Sequence, residues 1–435
     1  TKITRKVWQF RIFSVSLQKK RLKRKNIVSH MESIINYINL LEANKNLVLT
    51  GAPGTGKTYL AKKIAEMMGA NVELVQFHSS YNYTDFVEGL RPIKDRNQLG
   101  FERIDGVFKE FCKKALDAST LFTIAYKELV RELKSGDIER LNTDLRMTCV
   151  NDNNHIIFKS VDGGNTNYQK HYVSEEKLLE LYLKIAENLQ DFENETKITK
   201  KKCKELNGGK EVDTTAPLIL KELFRRSKHE LVRLNKHAKS VFIIDEINRG
   251  ELSKIFGELF YAIDPGYRGE KGKVKTQYQN LIDKEDIFAD GFFVPENVYI
   301  LATMNDIDRS VESMDFAMRR RFAWKEIKPE DRLDMLSEKL NPNVCEKAIR
   351  VMTALNKAIT NTRGLGKAYQ IGPAYFLKLS EENYNGDFSE LWDLHIEVLL
   401  RDYLRSYSYA DAKVEEFKQI YFASLDDTSK DTIDE

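Results

Sequence analysis

The chain has 435 residues, 42% hydrophobic and 31% charged, which supports two or three globular domains and excludes wholesale disorder. A mean hydropathy of −0.48, with no apolar run of about 18 residues, excludes a membrane-spanning helix. Four cysteines (Cys112, Cys149, Cys203, Cys345) lie far apart without a CxxC, which excludes a zinc ribbon or disulfide framework and fits a reducing cytoplasm.

The net charge of +3 is unevenly placed: residues 1–30 carry ten Lys/Arg and no acid, leaving the rest at −7. That arm suits nucleic acid or anionic lipid and lacks the apolar centre of a signal peptide. A second reading stays open, in which 1–30 is a fragment or a misplaced start, because Met31 opens the first amphipathic stretch. Apolar spacing predicts a helix over 31–44, with Ile34, Ile35, Ile38, Leu40 and Leu41 on one side. A short buried strand follows at 46–50, then a glycine-rich loop, a helix over 57–68 and an alternating strand over 71–77. Residues 31–120 form the first part of a core. Residues 121–236 are predicted to be an insertion, with helices near 121–133, 175–189 and 218–226, polar breaks and no catalytic constellation. The core resumes over 237–328 with β-branched strands at 241–245 and 298–303; residues 329–435 read as a separate helical domain. Strands interleaved with helices predict an α/β fold whose parallel sheet is covered on both faces.

Gly51-Ala52-Pro53-Gly54-Thr55-Gly56-Lys57-Thr58 matches GxxxxGK[ST] and lies between strand and helix, where a phosphate-binding loop must lie. Glycines let backbone N–H groups wrap phosphates, Lys57 is placed for the β/γ-phosphates, and the Thr58 hydroxyl is placed for Mg²⁺. The run 241–246 ends in two acids: Asp245 for Mg²⁺ and Glu246 to polarise the attacking water. Asn305 ends the next strand, where an amide can orient that water; a polar turn with a capping role is the structural alternative there and at Asp306. Arg319, Arg320 and Arg321 end a short helical segment and, at about 100° per residue, fan out over a wide arc. One or two of them can project to a neighbouring subunit's nucleotide; the structural alternative is a set of cations at a helix C-terminus.

These elements stand in the order of an AAA+ P-loop ATPase/GTPase with a helical lid. More narrowly, the chain resembles the McrB-type motor GTPases of methylcytosine-dependent restriction systems. The likeness rests on Met304-Asn305-x-x-Asp308-Arg309-Ser310, followed by Asp315-x-Ala317-Met318-Arg319-Arg320-Arg321-Phe322. The stretches Phe77 to Gly89, Asp245 to Gly250 with Phe256 to Leu259, and Ile371 to Phe376 support it. It covers roughly 31–120 and 237–410 and leaves the insertion unmatched.

The resemblance implies GTP, with ATP as the alternative fuel, a ring that is a hexamer in the family, and a McrC-type nuclease partner. It makes Asn305 the sensor 1 residue, has Asp308 and Arg309 complete the signature at the nucleotide, and offers Arg320 and Arg321 as arginine fingers. Ile371–Phe376 occupies the sensor 2 region, with Pro373-Ala374 where the family often has His-Ser. The family's methylcytosine-reading domain would precede the motor, so DNA is expected to be reached through a partner or another domain. Two rival classes stand beside the motor. One is a nucleotide-switched sensor in a defence system; the other, resting on residues 1–30 alone, is a basic-arm nucleic-acid-binding protein.

Overall fold

The computed structural model describes residues 32–95, 98–135, 145–150, 156–160, 171–192, 195–233, 239–284, 286–307 and 316–426. The basic arm 1–30 and the signature residues Asp308, Arg309, Ser310 and Asp315 lie outside these. The chain divides into two compact units, 1–87 with 241–267 and 299–435, and 88–240 with 268–298. The expected insertion, 121–236, lies inside the second unit, which also takes in 88–120 and 268–298.

Among the described residues, ten strands follow in chain order: β1 (Asn46–Thr50), β2 (Asn71–Gln76), β3 (Glu88–Asp95), β4 (Gln98–Asp105), β5 (Leu145–Val150), β6 (Ile156–Ser160), β7 (His171–Tyr172), β8 (Ser240–Asp245), β9 (Val298–Thr303) and β10 (Ala323–Glu326). The first unit is built on a five-stranded sheet in the order β10-β1-β9-β8-β2, with β1 parallel to both β10 and β9. Every residue of β1 and β9 is buried, and such unbroken burial is what a sheet covered on both faces requires. Helix α1 (32–44) places Ile34, Tyr37 and Leu41 in a core with Leu47, Leu49, Leu60, Ile64, Val241, Ile243 and Leu301. The expected apolar side of α1 is corrected here: Ile35 and Leu40 are exposed, and Tyr37 takes the inward position. Helix α2 (Lys57–Met67) buries Leu60, Ala61, Ile64 and Ala65 beneath the loop that precedes it.

Past Glu326, every element among the described residues is helical. The long helix Pro342–Asn361 starts on the Asn341 side chain, which accepts from Val344 N, with Pro342 in the first turn. Its apolar face packs with Trp392, Leu400, Phe417 and Tyr421 in a core of its own.

The second unit contains the β3–β4 hairpin, paired antiparallel from Glu88↔Asp105 to Asp95↔Gln98, and a three-stranded sheet in the order β5-β6-β7. Helices Ala118–Ser135, Glu175–Glu187 and Ala216–Arg233 pack around apolar residues such as Phe122, Leu181 and Leu223. Buried charges fix the base of the hairpin. Glu88 accepts from Lys109 Nζ (2.6 Å), Arg103 Nη1 (3.1 Å) and Tyr278 N (2.9 Å). Burial pushes the Glu88 carboxyl up, and Lys109, the Thr276 hydroxyl and the Tyr278 N–H outweigh it and hold the group below its ordinary range. Removing one partner of such a pair is costly because the other charge stays buried.

Candidate functional site

The site is assembled within the first unit, at the ends of β1, β8 and β9. Between β1 and α2 the chain takes the loop 51–58, whose glycines 51, 54 and 56 all have positive φ (139°, 75° and 74°), a region costly to other residues. The Lys57 amino group, almost wholly buried, folds back on the loop and donates to Gly51 O (3.0 Å) and Ala52 O (2.9 Å). Burial lowers its pKa to about 8, against the upward pull of Glu246, Asp306 and Asp245.

Thr58, in the first turn of α2, donates from Oγ1 to Asp245 Oδ1 at 2.6 Å. Asp245 ends β8, and Glu246 follows in the left-handed region, with φ 54° and ψ 49°. Its carboxylate is thereby turned out of the strand direction, and Oε1 accepts from Asn305 Nδ2. Asn305 leaves the end of β9 and is held in turn by Asn248 Nδ2, which donates to its carbonyl at 3.4 Å. Arg249 Nε stands 3.5 Å from Glu246 Oε2. The loop, both acids and Asn305 are therefore brought together.

Beside the acids lies an aromatic cluster that explains the stretch from Phe77 to Gly89. Phe77 N donates to Asp245 O (3.0 Å), and its ring stacks on Tyr81 and meets Phe86 and Phe256 edge-on. Tyr83 donates to Glu258. These side chains buttress the end of β8.

The three arginines part ways. Arg319 lies over the Trp324 ring, 4.9 Å from its centroid. Arg321 is turned inward: its side chain is 11% exposed, with Nε 3.6 Å from Asp264 Oδ2 and the guanidinium over Phe260. Its backbone carbonyl accepts from the buried Asn46 side chain (2.8 Å), which ties the segment to β1. Arg320 is exposed.

The sensor 2 region reaches the loop through backbone. Gly372 N donates to Pro53 O and Ala374 N to Gly54 O, both at 2.9 Å. A Cβ on Gly372 would lie 2.1 Å from Gly54 C, so only glycine permits this approach. The buried Asn356 side chain holds Ile371 in place by a bond to each of its backbone groups (2.7 and 2.9 Å). Arg332, buried, donates to Gly56 O at 3.3 Å.

Sequence reasoning missed Thr303, Asn356 and Arg332, and it cited the stretches that hold Asn248 and Gly372 without giving either residue a role. The signal for Thr303 was its place at the end of a buried strand, one of two leading into the acids and Asn305. Arg332 and Asn356 gave no local signal.

Two family models match the chain: an AAA domain of the dynein-related subfamily over residues 46–143 and 201–322, and the McrB alpha-helical lid domain over 347–408. Over 395 residues the chain is 26% identical to the type IV methyl-directed restriction enzyme EcoKMcrB subunit of Escherichia coli (strain K12), covering 88% of this chain and 58% of that protein. It is 30% identical over 154 residues to the type II restriction enzyme BsuMI component YdiS of Bacillus subtilis (strain 168), covering 34% of this chain and 45% of that one. The chain thus spans about three fifths or less of the length of these curated relatives. With its loop 51–58, strand-end acids and helical lid, the chain belongs to the AAA domain family, dynein-related subfamily, and is of McrB type.

Proposed function

We propose that this chain is the ring-forming nucleoside-triphosphatase motor of a DNA restriction or defence complex, with GTP as the favoured fuel and ATP as the alternative. The observation that carries the reading is the joint between loop and acids: Thr58 bonded to Asp245 at 2.6 Å, with Glu246 bonded to Asn305 beside it. A hydroxyl and a carboxylate already within hydrogen-bond reach are hard oxygen donors of the kind Mg²⁺ takes, and Thr58 and Asp245 are the residues that would hold it. Bound there, Mg²⁺ would neutralise charge on the phosphoryl oxygens.

Lys57 exchanges the carbonyls of Gly51 and Ala52 for β/γ-phosphate oxygens. Glu246 takes the proton of the attacking water while Asn305 fixes the orientation of its carboxylate. Asp308 and Arg309 are assigned to the nucleotide by the family signature. Arg320, being exposed, serves the neighbouring subunit's transition state in a ring, read as a hexamer from the resemblance; Arg321 is the second finger candidate. The ring works with a McrC-like nuclease subunit, and DNA is reached through that partner or another domain. GTP rests on the resemblance to the McrB-type motors.

Steady-state hydrolysis of GTP and ATP side by side, with and without Mg²⁺, tests the proposal. Mg²⁺-dependent turnover of GTP above that of ATP supports it. Turnover of ATP alone overturns the fuel assignment, and tight binding without turnover selects the nucleotide-switched sensor instead.

A further inference from the structure

Asp245 and Glu246 are neighbours in sequence with different tasks, and something must fix the spacing of their carboxylates. The backbone does not do so by itself, because Glu246 leaves the strand in the left-handed region, a strained place for a residue with a side chain. One hydroxyl bridges the two residues. Thr303, buried at the end of β9, accepts from the backbone N–H of Glu246 (3.2 Å) and donates its proton to Asp245 Oδ1 (2.6 Å). Its lone pair fixes where the chain turns, and its proton fixes how the Asp245 carboxylate is rotated.

The same Oδ1 also accepts from Thr58 at 2.6 Å. A cation held by Thr58 and Asp245 would take a lone pair of the Thr58 hydroxyl, whose proton would still be available to Asp245. The bond from Thr303 involves no group that has to move. We infer that Thr303 is a positioning residue, holding both acids in register through one hydroxyl that is independent of the metal-binding Thr58. This rests on the reading of Asp245 and Glu246 given above and adds to it a residue that touches neither nucleotide nor metal.

The test compares Thr303→Val, which keeps the shape and removes the hydroxyl, with Thr303→Ser, which keeps it. Losing a hydrogen bond to a charged group corresponds to about 10- to 100-fold. Thr303→Val is expected to lower kcat by about that factor, with nucleotide Kd within about twofold, and Thr303→Ser is expected to recover most of the loss. A second readout needs no turnover: Mn²⁺ is titrated into nucleotide-loaded protein. Thr303→Val is expected to weaken Mn²⁺ binding several-fold and Thr303→Ser to restore it. Unchanged kcat and Mn²⁺ affinity in Thr303→Val would overturn the proposal. So would a Ser variant as impaired as the Val variant, or parallel loss of nucleotide affinity and melting temperature in both. If the unmodified chain hydrolyses neither GTP nor ATP, the motor reading fails, and the Mn²⁺ titration still decides the role of Thr303.

Discussion

The strand-end acids and the phosphate loop meet at the hydrogen bond from Thr58 to Asp245, and they are tied to the rest of the fold by different groups. Asp245 and Glu246 are fixed by side chains: the hydroxyls of Thr58 and Thr303, and the amide of Asn305. The lid approaches the loop through backbone, Gly372 N to Pro53 O and Ala374 N to Gly54 O, and the side chains of Arg332 and Lys57 donate to loop carbonyls. A region held by side chains fails when a polar group is removed, and its failure shows in chemistry. A region held by close backbone approach fails when a methyl group is added, and its failure shows in nucleotide binding.

The largest expected effect comes from a residue in neither region. Arg320→Ala should lower hydrolysis by about 10³- to 10⁵-fold, the range seen for arginine fingers, while each subunit still binds nucleotide. Mixing Arg320→Ala with Glu246→Gln protein should restore activity at interfaces that keep both intact groups. Arg321→Ala sharpens the contrast: with its guanidinium against Asp264 and Phe260, its loss should lower the melting temperature more than Arg320→Ala does. Equal melting temperatures with a larger rate loss at Arg321 would move the finger to that position.

Next in size is the acid end. Glu246→Gln keeps the amide bond partner for Asn305 but cannot take a proton, so turnover should fall by about 10²- to 10⁴-fold. Nucleotide affinity, measured by equilibrium titration, should stay within about threefold if only water activation is lost. Near-normal turnover would break the assignment of the base and with it the distinction between the two regions.

Much of this site was legible because its parts are local. The buried runs of β1, β8 and β9 show as apolar stretches, and the loop 51–58 and the pair Asp245-Glu246 are contiguous motifs at their ends. What was not legible depends on distant pairing. Thr303 meets Asp245 across 58 positions in sequence, and Arg332 meets Gly56 across 276. The β3–β4 hairpin escaped because Glu88-Gly89-Leu90-Arg91-Pro92 carries no clean alternation, and its register is set by cross-strand partners. In α1, spacing alone could not tell that Tyr37 would face the core and Ile35 would not.

The loop end should respond to Gly372→Ala. The added Cβ would stand 2.1 Å from Gly54 C and 2.3 Å from Thr55 N, and both neighbours are backbone that cannot swing aside. Overpacking of this kind costs about 1–3 kcal/mol, read as a lower melting temperature. Displacing the lid from the loop should also raise KM, with kcat changed less. A fall in kcat at constant KM would mean that the lid acts on the acids instead.

The smallest effect, and the most specific to the loop, is in pH. In the nucleotide-free protein, burial lowers the Lys57 pKa to about 8, so the amine is partly neutral above that pH. A bound polyphosphate favours the charged form and raises the pKa again. Binding therefore takes up a proton above about pH 8, and affinity must fall as pH rises, by up to about tenfold per unit, with little change below about pH 7. Nucleotide titrations between about pH 7 and pH 9 should show this slope in the unmodified chain. Lys57→Arg should show weaker binding overall and no slope, because a guanidinium keeps its charge but is not a compact point charge. Glu246→Gln removes the strongest upward pull on Lys57, so its slope should set in at a lower pH than in the unmodified chain. A flat profile in the unmodified chain would mean that the loop is already open to water, and that burial does not depress the Lys57 pKa.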